Sequence, residues 1–208
     1  GVSVVNALAE WLEVEVQRDG KKYSQKYFRG TPKETIGKLE DATDDRTGTT
    51  VKFMPDEKIF DELEFTSEII DHRLKELAFL NKGVKIVFND YRYDTPTEKE
   101  YKFDGGIKSY VESLTANKTV LFSPPIYMKK EREDYEVEIA MQWTDSYSEL
   151  LSGYANAIST PEGGTHISGF KTALTRVLNQ YGKDNNLLKN IKTILTGDDM
   201  REGITAII

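Results

Sequence analysis

Apolar and polar positions alternate at period two from Trp11 to Arg18, where Leu12, Val14 and Val16 interleave with Glu13, Glu15 and Gln17. Such alternation marks a half-buried strand. Asp19-Gly20 follows it, a pair that accepts the positive φ a two-residue hairpin turn demands, so Lys22 to Phe28 is read as the return strand. Before this hairpin, Gly1-Val2-Ser3-Val4-Val5-Asn6-Ala7-Leu8-Ala9 reads as the first turns of a helix whose preceding loop is missing. Residues 30–46 are turn-rich and acidic, a connection with a short strand inside. Thr47-Gly48-Thr49-Thr50-Val51-Lys52-Phe53 is β-branched and predicts another strand, closed by Pro55.

The period then changes. Ile69, Ile70, Leu74, Leu77 and Ala78 recur at helical spacing after a cap at Thr66 or Ser67, and Asn81-Lys82-Gly83 ends the helix. Val84 to Phe88 predicts a strand with Glu100 to Phe103 as its hairpin partner, and the polar stretch from Asn89 to Lys99 lies between them. At Asp104-Gly105-Gly106 the pattern restarts with a capped helix carrying Ile107, Tyr110, Val111 and Leu114, and a domain boundary is placed here. After Pro124-Pro125 a long strand puts Tyr135, Val137, Ile139, Met141 and Trp143 on one face and Glu136, Glu138 and Gln142 on the other. Tyr147 to Ser159 is expected as its antiparallel neighbour. Thr160-Pro161-Glu162-Gly163-Gly164-Thr165-His166 then turns into a helix. Thr165 is its expected cap, Ile167, Phe170, Leu174, Val177, Leu178 and Tyr181 form its apolar face, and Gly182 is its expected stop. A polar helical region at Thr196-Gly197-Asp198-Asp199 and a strand from Ile204 finish the chain, and both chain ends read as cut from something larger.

Composition adds bounds rather than a reaction. The chain has 208 residues, of which 38% are hydrophobic and 30% charged, with a mean hydropathy of -0.54. That is a globular composition, enough for one large domain or two of about 100 residues each. A net charge of -7, from 35 acidic against 28 basic residues, makes a protein that coats nucleic acid a poor expectation. With no cysteine there is neither a disulfide nor a thiolate metal site, which fits a reducing compartment. No apolar run reaches the about 20 residues that cross a bilayer, so no membrane association and a cytoplasmic location are expected.

The chemistry-bearing residues are sparse. His72 and His166 have no carboxylate at ligand spacing, so no metal site is expected, and His166 is assigned a local hydrogen bond at its helix start. Asp198, Asp199 and Glu202 read as complement to a helix dipole. Ser146, Ser148, Ser152, Ser159 and Ser168 lack the G-x-S-x-G context of a hydrolase nucleophile. Gly163-Gly164-Thr165 can be an anion loop at a helix N-terminus or simply a turn, and Thr47-Gly48-Thr49 a strand start or a polar ligand contact. Residue chemistry alone therefore yields a two-domain α+β protein without a named reaction.

Seven stretches, in order, carry a resemblance. Gly1-Val2-Ser3-Val4-Val5-Asn6-Ala7-Leu8 is similar to the end of L-H-G-V-G-x-S-V-V-N-A-L, Thr47 to Phe53 to T-G-T-x-V-x-F, and Arg73 to Asn81 to R-L-R-E-L-A-F-L-N. Tyr101 to Tyr110 resembles Y-x-x-x-G-G-I-x-x-[FY], Gln142-Trp143-Thr144-Asp145 resembles Q-W-N-D, Thr160 to Phe170 resembles T-x-E-G-G-T-H-x-x-G-F, and Thr196 to Gly203 resembles T-G-[ED]-D-x-R-E-G. These are motifs of the bacterial type IIA topoisomerase ATPase subunits, the family that includes DNA gyrase B and its topoisomerase IV counterpart. Two departures stand out: Asn156-Ala157 where a paired asparagine is common, and Thr144 where Asn is usual.

The resemblance implies that residues 1–104 are the C-terminal part of a GHKL ATPase domain, a partial sheet with helices on one face. Residues 105–208 would be a transducer domain with a left-handed βαβ crossover. It implies ATP as ligand, with Gly1 at the phosphates, Val2 and Val51 as apolar walls of the adenine pocket and Thr49 at the adenine edge. Arg18 matches an arginine that contacts coumarin-type inhibitors. The general base and the magnesium ligand are expected upstream of Gly1, and a Q-T-K loop reaching the γ-phosphate downstream of Ile208, so this chain alone is not expected to hydrolyse ATP. The implied partners are a gyrase A-type cleavage subunit, duplex DNA and a second copy of the ATPase subunit on ATP binding. The implied activity is ATP-coupled strand passage and negative supercoiling. The alternatives are a topoisomerase IV-like decatenase, a MutL-like repair ATPase, against which Gln142-Trp143 and Glu162 to His166 argue, and a scaffold that kept the fold without the chemistry.

Overall fold

A computed structural model describes residues 1–33, 37–42, 44–189 and 195–208. They divide into two compact units, Gly1–Thr66 and Ser67–Ile208.

The first unit is built on helix α1 (Val2–Ala7) and strands β1 (Ala9–Arg18), β2 (Lys21–Phe28), β3 (Thr31–Pro32), β4 (Gly37–Asp41) and β5 (Gly48–Pro55). β1 lies between β2 and β5, antiparallel to both, and β3 and β4 add to the outer side of β2. Asp19 and Gly20 both take positive φ, at 53° and 67°, so the two-residue hairpin forms where the sequence places it. The rest of the expected 30–46 connection, residues 34–36 and 43, lies outside the described residues. The register sorts the alternation onto two faces. Leu12 stands opposite Tyr27 and Phe53, Val14 opposite Gln25 and Val51, and Val16 opposite Tyr23 and Thr49. The other face is charged, with ion pairs Lys26–Glu13 at 3.2 Å and Lys52–Glu15 at 3.4 Å. Phe65 meets Phe53 edge-on, with ring centroids 6.4 Å apart. At the foot of the sheet the buried Asp56 accepts from Arg29 Nε at 2.5 Å, while its backbone N–H donates to Leu8 O.

The second unit begins with α2 (Ser67–Leu80), the hairpin β6 (Ile86–Asp90) and β7 (Thr97–Tyr101), and α3 (Ile107–Thr115). It continues through β8 (Ile126–Glu131), β9 (Glu136–Trp143), β10 (Leu150–Ser152), β11 (Tyr154–Ala155), β12 (Ile158–Ser159), α4 (Thr165–Asp184), α5 (Gly197–Arg201) and β13 (Ile204–Ile207). Its main sheet has the order β10-β13-β9-β8, with β10 parallel to β13 and the other pairs antiparallel. Ala140 and Ile207 pack with Phe79 of α2 and with Ile107, Tyr110 and Val111 of α3. Met141, Ile204 and Ala206 pack with Phe170 and Leu174 of α4. A sheet thus lies between α3 and α4, the layered solution that buries both of its faces. Among the described residues no helix is long and apolar enough to cross a membrane.

Four expectations are corrected. Tyr147 to Ser159 does not pair with β9, whose two edges are taken by β8 and the fully buried β13; it splits into β10 and the separate β11–β12 hairpin. The N-cap of α4 is Gly164 rather than Thr165, with φ 151° and no side-chain cap bond. Gly182 does not end that helix, which runs on to Asp184, and Leu188 packs over the bare Cα of Gly182. On α2, Ile69 is 69% exposed while Phe79, outside the predicted stripe, is core.

Candidate functional site

Thr49 and Val51 sit two residues apart on β5, so their side chains share one sheet face, aligned with Val16 and Val14 of β1. Val51 is 39% exposed, and Thr49 is exposed at the lip of a polar cleft of about 340 Å³ that includes Gln17, Lys22, Arg46 and Gly48. The cleft is braced from one side: Gln17 Nε2 donates to Asp44 Oδ1 at 2.7 Å and Arg46 Nε to Asp44 Oδ2 at 2.7 Å. Those bonds hold the Asp44 carboxyl below the usual carboxylate range, the Arg46 bond foremost. A hydroxyl beside an apolar valine is a suitable edge for a flat heteroaromatic ring with polar rim atoms.

Gly1 is the N-cap of α1, and its carbonyl accepts from the amides of Val4 and Val5. Val2 is 58% exposed. The same helix turns Val4, Val5 and Leu8 into an apolar cavity of about 350 Å³ shared with Phe53, Phe60 and Phe65, and neither Gly1 nor Val2 lines it. Arg18 stands at the hairpin end of β1 with a 76% exposed side chain, paired with Asp19 at 3.5 Å. Among the described residues no group of three or more His, Asp or Glu is placed to hold a metal ion.

In the second unit the motif residues form a structural frame. Gln142 Oε1 accepts from Thr115 Oγ1 at 2.9 Å and its Nε2 donates to Phe122 O, so one buried amide ties the end of α3 to the loop before β8. Trp143 Nε1 donates to Met200 O of α5 at 3.0 Å. Thr144 donates to Gly203 O from both its backbone N and its Oγ1. Gly203 has φ 77°, and a Cβ there would fall 2.4 Å from Thr144 O, which excludes any side chain. Thr196 and Asp199 make a reciprocal capping box, and Arg201 joins Asp198 and Glu149. The acidic residues Asp198 and Asp199 are thus occupied in starting and closing a short helix. His166 hydrogen-bonds Thr160 Oγ1 through Nε2 at 3.1 Å, the local bond the sequence assigned it. The Gly-Gly turn has a steric reason too, because a Cβ on Gly164 would meet the His166 ring at 2.8 Å.

Sequence reasoning missed one polar cluster. Arg73 and Glu76, one turn apart on α2, form an ion pair. Glu76 also accepts from the Tyr154 hydroxyl at 2.5 Å, and Arg73 Nη2 donates to Ala157 O at 3.2 Å. Burial, followed by the Glu76 bond, pushes the Tyr154 phenol well above its ordinary range. The available signal was the opposite charge at i, i+3 within the R-L-K-E-L-A-F-L-N stretch.

Comparison with known proteins places this geometry. The family model for DNA gyrase B matches residues 106–208. The whole chain aligns at 48% identity with the DNA gyrase B protein of Enterococcus faecalis and at 49% with that of Streptococcus pneumoniae, covering 32% of each. It thus spans about a third of the length of these curated relatives. Among solved structures, the 43K ATPase domain of Thermus thermophilus gyrase B, solved in complex with an aminocoumarin, superposes with a TM-score of 0.83 at 38% identity, over 99% of this chain and 56% of that one. The topoisomerase IV ATP-binding domain of Francisella tularensis, in complex with a small-molecule inhibitor, gives 0.80 at 27% identity, over 100% of this chain and 55% of that one.

Proposed function

The chain belongs to the DNA gyrase B family of bacterial type IIA topoisomerases, and from that premise we propose that it is the ATP-binding and transducer region of a supercoiling subunit. In this reading residues 1–104 supply part of a nucleotide site and residues 105–208 carry its state onward. The start of the family match at residue 106 supports that division, whereas the two compact units of the fold divide after Thr66 and group α2 with the second. The single observation that carries the reading is the superposition of 99% of the chain on a gyrase B ATPase domain.

The residues of β5 fit an adenine. Val51 offers an apolar flank and Thr49 a hydroxyl at the ring edge, from adjacent positions on one sheet face. Val2 adds an exposed apolar side chain and Gly1 an unsubstituted backbone at a helix start, where a phosphate can come close. When bound, ATP supplies the hydrolysable γ-phosphate; these residues bind and orient, and none of them is assigned a proton transfer. Arg18, exposed at the hairpin, is the contact for coumarin-type inhibitors in this reading. Differential contacts with ATP and its products would bias the transducer between two positions. Such a relay closes a dimer of subunits on duplex DNA, works with a gyrase A-type cleavage subunit, uses Mg2+ with its ATP, and operates in the cytoplasm.

Thr49→Val in the full-length protein tests the site, since it keeps the shape and removes the hydroxyl. Loss of one hydrogen bond of about 1 kcal/mol weakens ATP-analogue binding about fivefold by calorimetry. Unchanged affinity would remove Thr49 from the site. Topoisomerase IV is the second reading, supported by the Francisella tularensis match; supercoiling against decatenation by the reconstituted enzyme separates the two. A scaffold would hydrolyse no ATP at all.

A further inference from the structure

The Arg73–Glu76 pair is tied to a backbone that it does not need for its own helix. On α2 the two side chains satisfy each other, yet both also reach the β11–β12 hairpin, Arg73 at the carbonyl of Ala157 and Glu76 at the hydroxyl of Tyr154. The hairpin is in turn fixed to the central sheet: Tyr154 N donates to Ile208 O at 2.8 Å, and Ile208 N to Ser152 O at 3.0 Å. The Tyr154 ring packs against the core cluster of Phe79, Ile107, Tyr110, Val111, Ala140 and Ile207. A continuous path of ion pair, hydrogen bonds and close packing therefore runs from α2 to the end of β13.

The turn this path grips is an unusual one. Asn156 and Ala157 both have positive φ, 50° and 63°, and alanine has no side-chain means of favouring that conformation. Strained backbone persists where its surroundings over-determine it, and such positions concentrate at switching elements. Arg73 holds the strained residue by its carbonyl, so displacement of α2 acts directly on the turn.

We propose that Arg73 and Glu76 are positioning residues of the relay, transmitting the displacement of α2 to the β11–β12 hairpin and so to the end of the central strand β13. This rests on the assignment of α2 to the nucleotide-binding part and of the hairpin to the transducer made under Proposed function. A purely structural role for the cluster would make it cement, with stability and activity falling together.

The test uses the full-length protein with its cleavage partner, measuring ATP hydrolysis and supercoils introduced per ATP for Arg73→Gln, Tyr154→Phe and the double variant. Tyr154→Phe keeps the packed ring and removes only the hydroxyl, so it remains informative where Arg73→Gln folds poorly. Hydrolysis is expected to stay within about twofold of the parent in the single variants, while supercoils per ATP fall by about fivefold or more, the lower end of ordinary coupling energies. The double variant should lose less than the two single losses combined, because both contacts grip the same β11–β12 hairpin. Unchanged supercoils per ATP in both single variants would overturn the proposal. So would hydrolysis and supercoiling declining in parallel with melting temperature. A parent protein without hydrolysis would instead remove the proposed function itself, and this relay with it.

Discussion

Ala157 occupies a backbone position that disfavours its side chain, and Gly203 one that admits no side chain at all. Ala157 sits at the second corner of a two-residue turn with φ 63°, next to Asn156 at φ 50°. Both corners of such a turn favour Asn or Gly, and an L-residue with an ordinary Cβ costs about 1–2 kcal/mol there. Ala157→Asn is therefore expected to stabilise the chain by about 1 kcal/mol, read as a higher denaturation midpoint at unchanged slope. Gly203 has no such latitude: Gly203→Ala adds a Cβ 2.4 Å from Thr144 O at φ 77°, and a loss of at least about 2 kcal/mol is expected in the same assay. The sequence showed that Ala157 departs from a paired asparagine, but the reason lies in a dihedral angle that one sequence does not display. Residue chemistry offered Thr49 as a strand start or a polar ligand contact, and Val51 was a candidate only through the motif around it. Of the Arg73–Glu76–Tyr154 cluster only the i, i+3 charge pair was open to a sequence reading, because Tyr154 lies 78 positions from Glu76 along the chain.

At the scale of elements, buried or half-buried aspartates do much of the fastening. Asp90, at the end of β6, accepts from Arg92 and from Ser67 at the start of α2. Asp71, one turn into α2, accepts from Tyr101 of β7 and pairs with Lys99. Asp56 fastens the foot of the first sheet to Arg29. Hydrogen bonds from these partners hold all three carboxyls below the usual range, Arg92 contributing most at Asp90, Tyr101 at Asp71 and Arg29 at Asp56. A depressed native pKa stabilises the fold above the unfolded value and is lost as pH falls through the native one. Thermal stability is therefore expected to hold down to about pH 4 and to fall below it, with a shallower fall in Asp90→Asn, in melts taken from pH 7 to pH 2. The alkaline limb has the opposite sign. Burial, then Asp71, pushes Tyr101 up to about 12, so its contribution is present below its unfolded value and disappears as pH rises towards 12.

The same scale shows what a pattern can and cannot reveal. The β1–β2 hairpin and β9 were legible because their alternation matches one buried face. β8 passed unread, for Ile126–Glu131 is an edge strand exposed at every position. The partner of β9 was misassigned because strand pairing is decided by competition for edges. The short run Ile204–Ile207, buried at every residue, takes the central place between β9 and β10.

For the whole molecule, local chemistry left the reaction unnamed and the order of motifs identified the family. The fold gives several of those motifs structural work. Gln142, Trp143, Thr144 and Gly203 interlock the loop before β8, α5 and the start of β13, so each residue type is fixed by a hydrogen bond or by the absence of space. The Gly163-Gly164 turn likewise accommodates an imidazole ring, and the residues assigned to nucleotide lie elsewhere, on α1 and β5. The most direct measurement of the claim that this chain binds ATP in one part and relays its state through the other is hydrogen exchange. The full-length protein would be followed with and without a non-hydrolysable ATP analogue. Binding is predicted to slow exchange at the start of α1 and around Thr49 and Val51, and to alter it in the β11–β12 hairpin and β13. Saturating nucleotide that leaves exchange unchanged across all of these segments would contradict it.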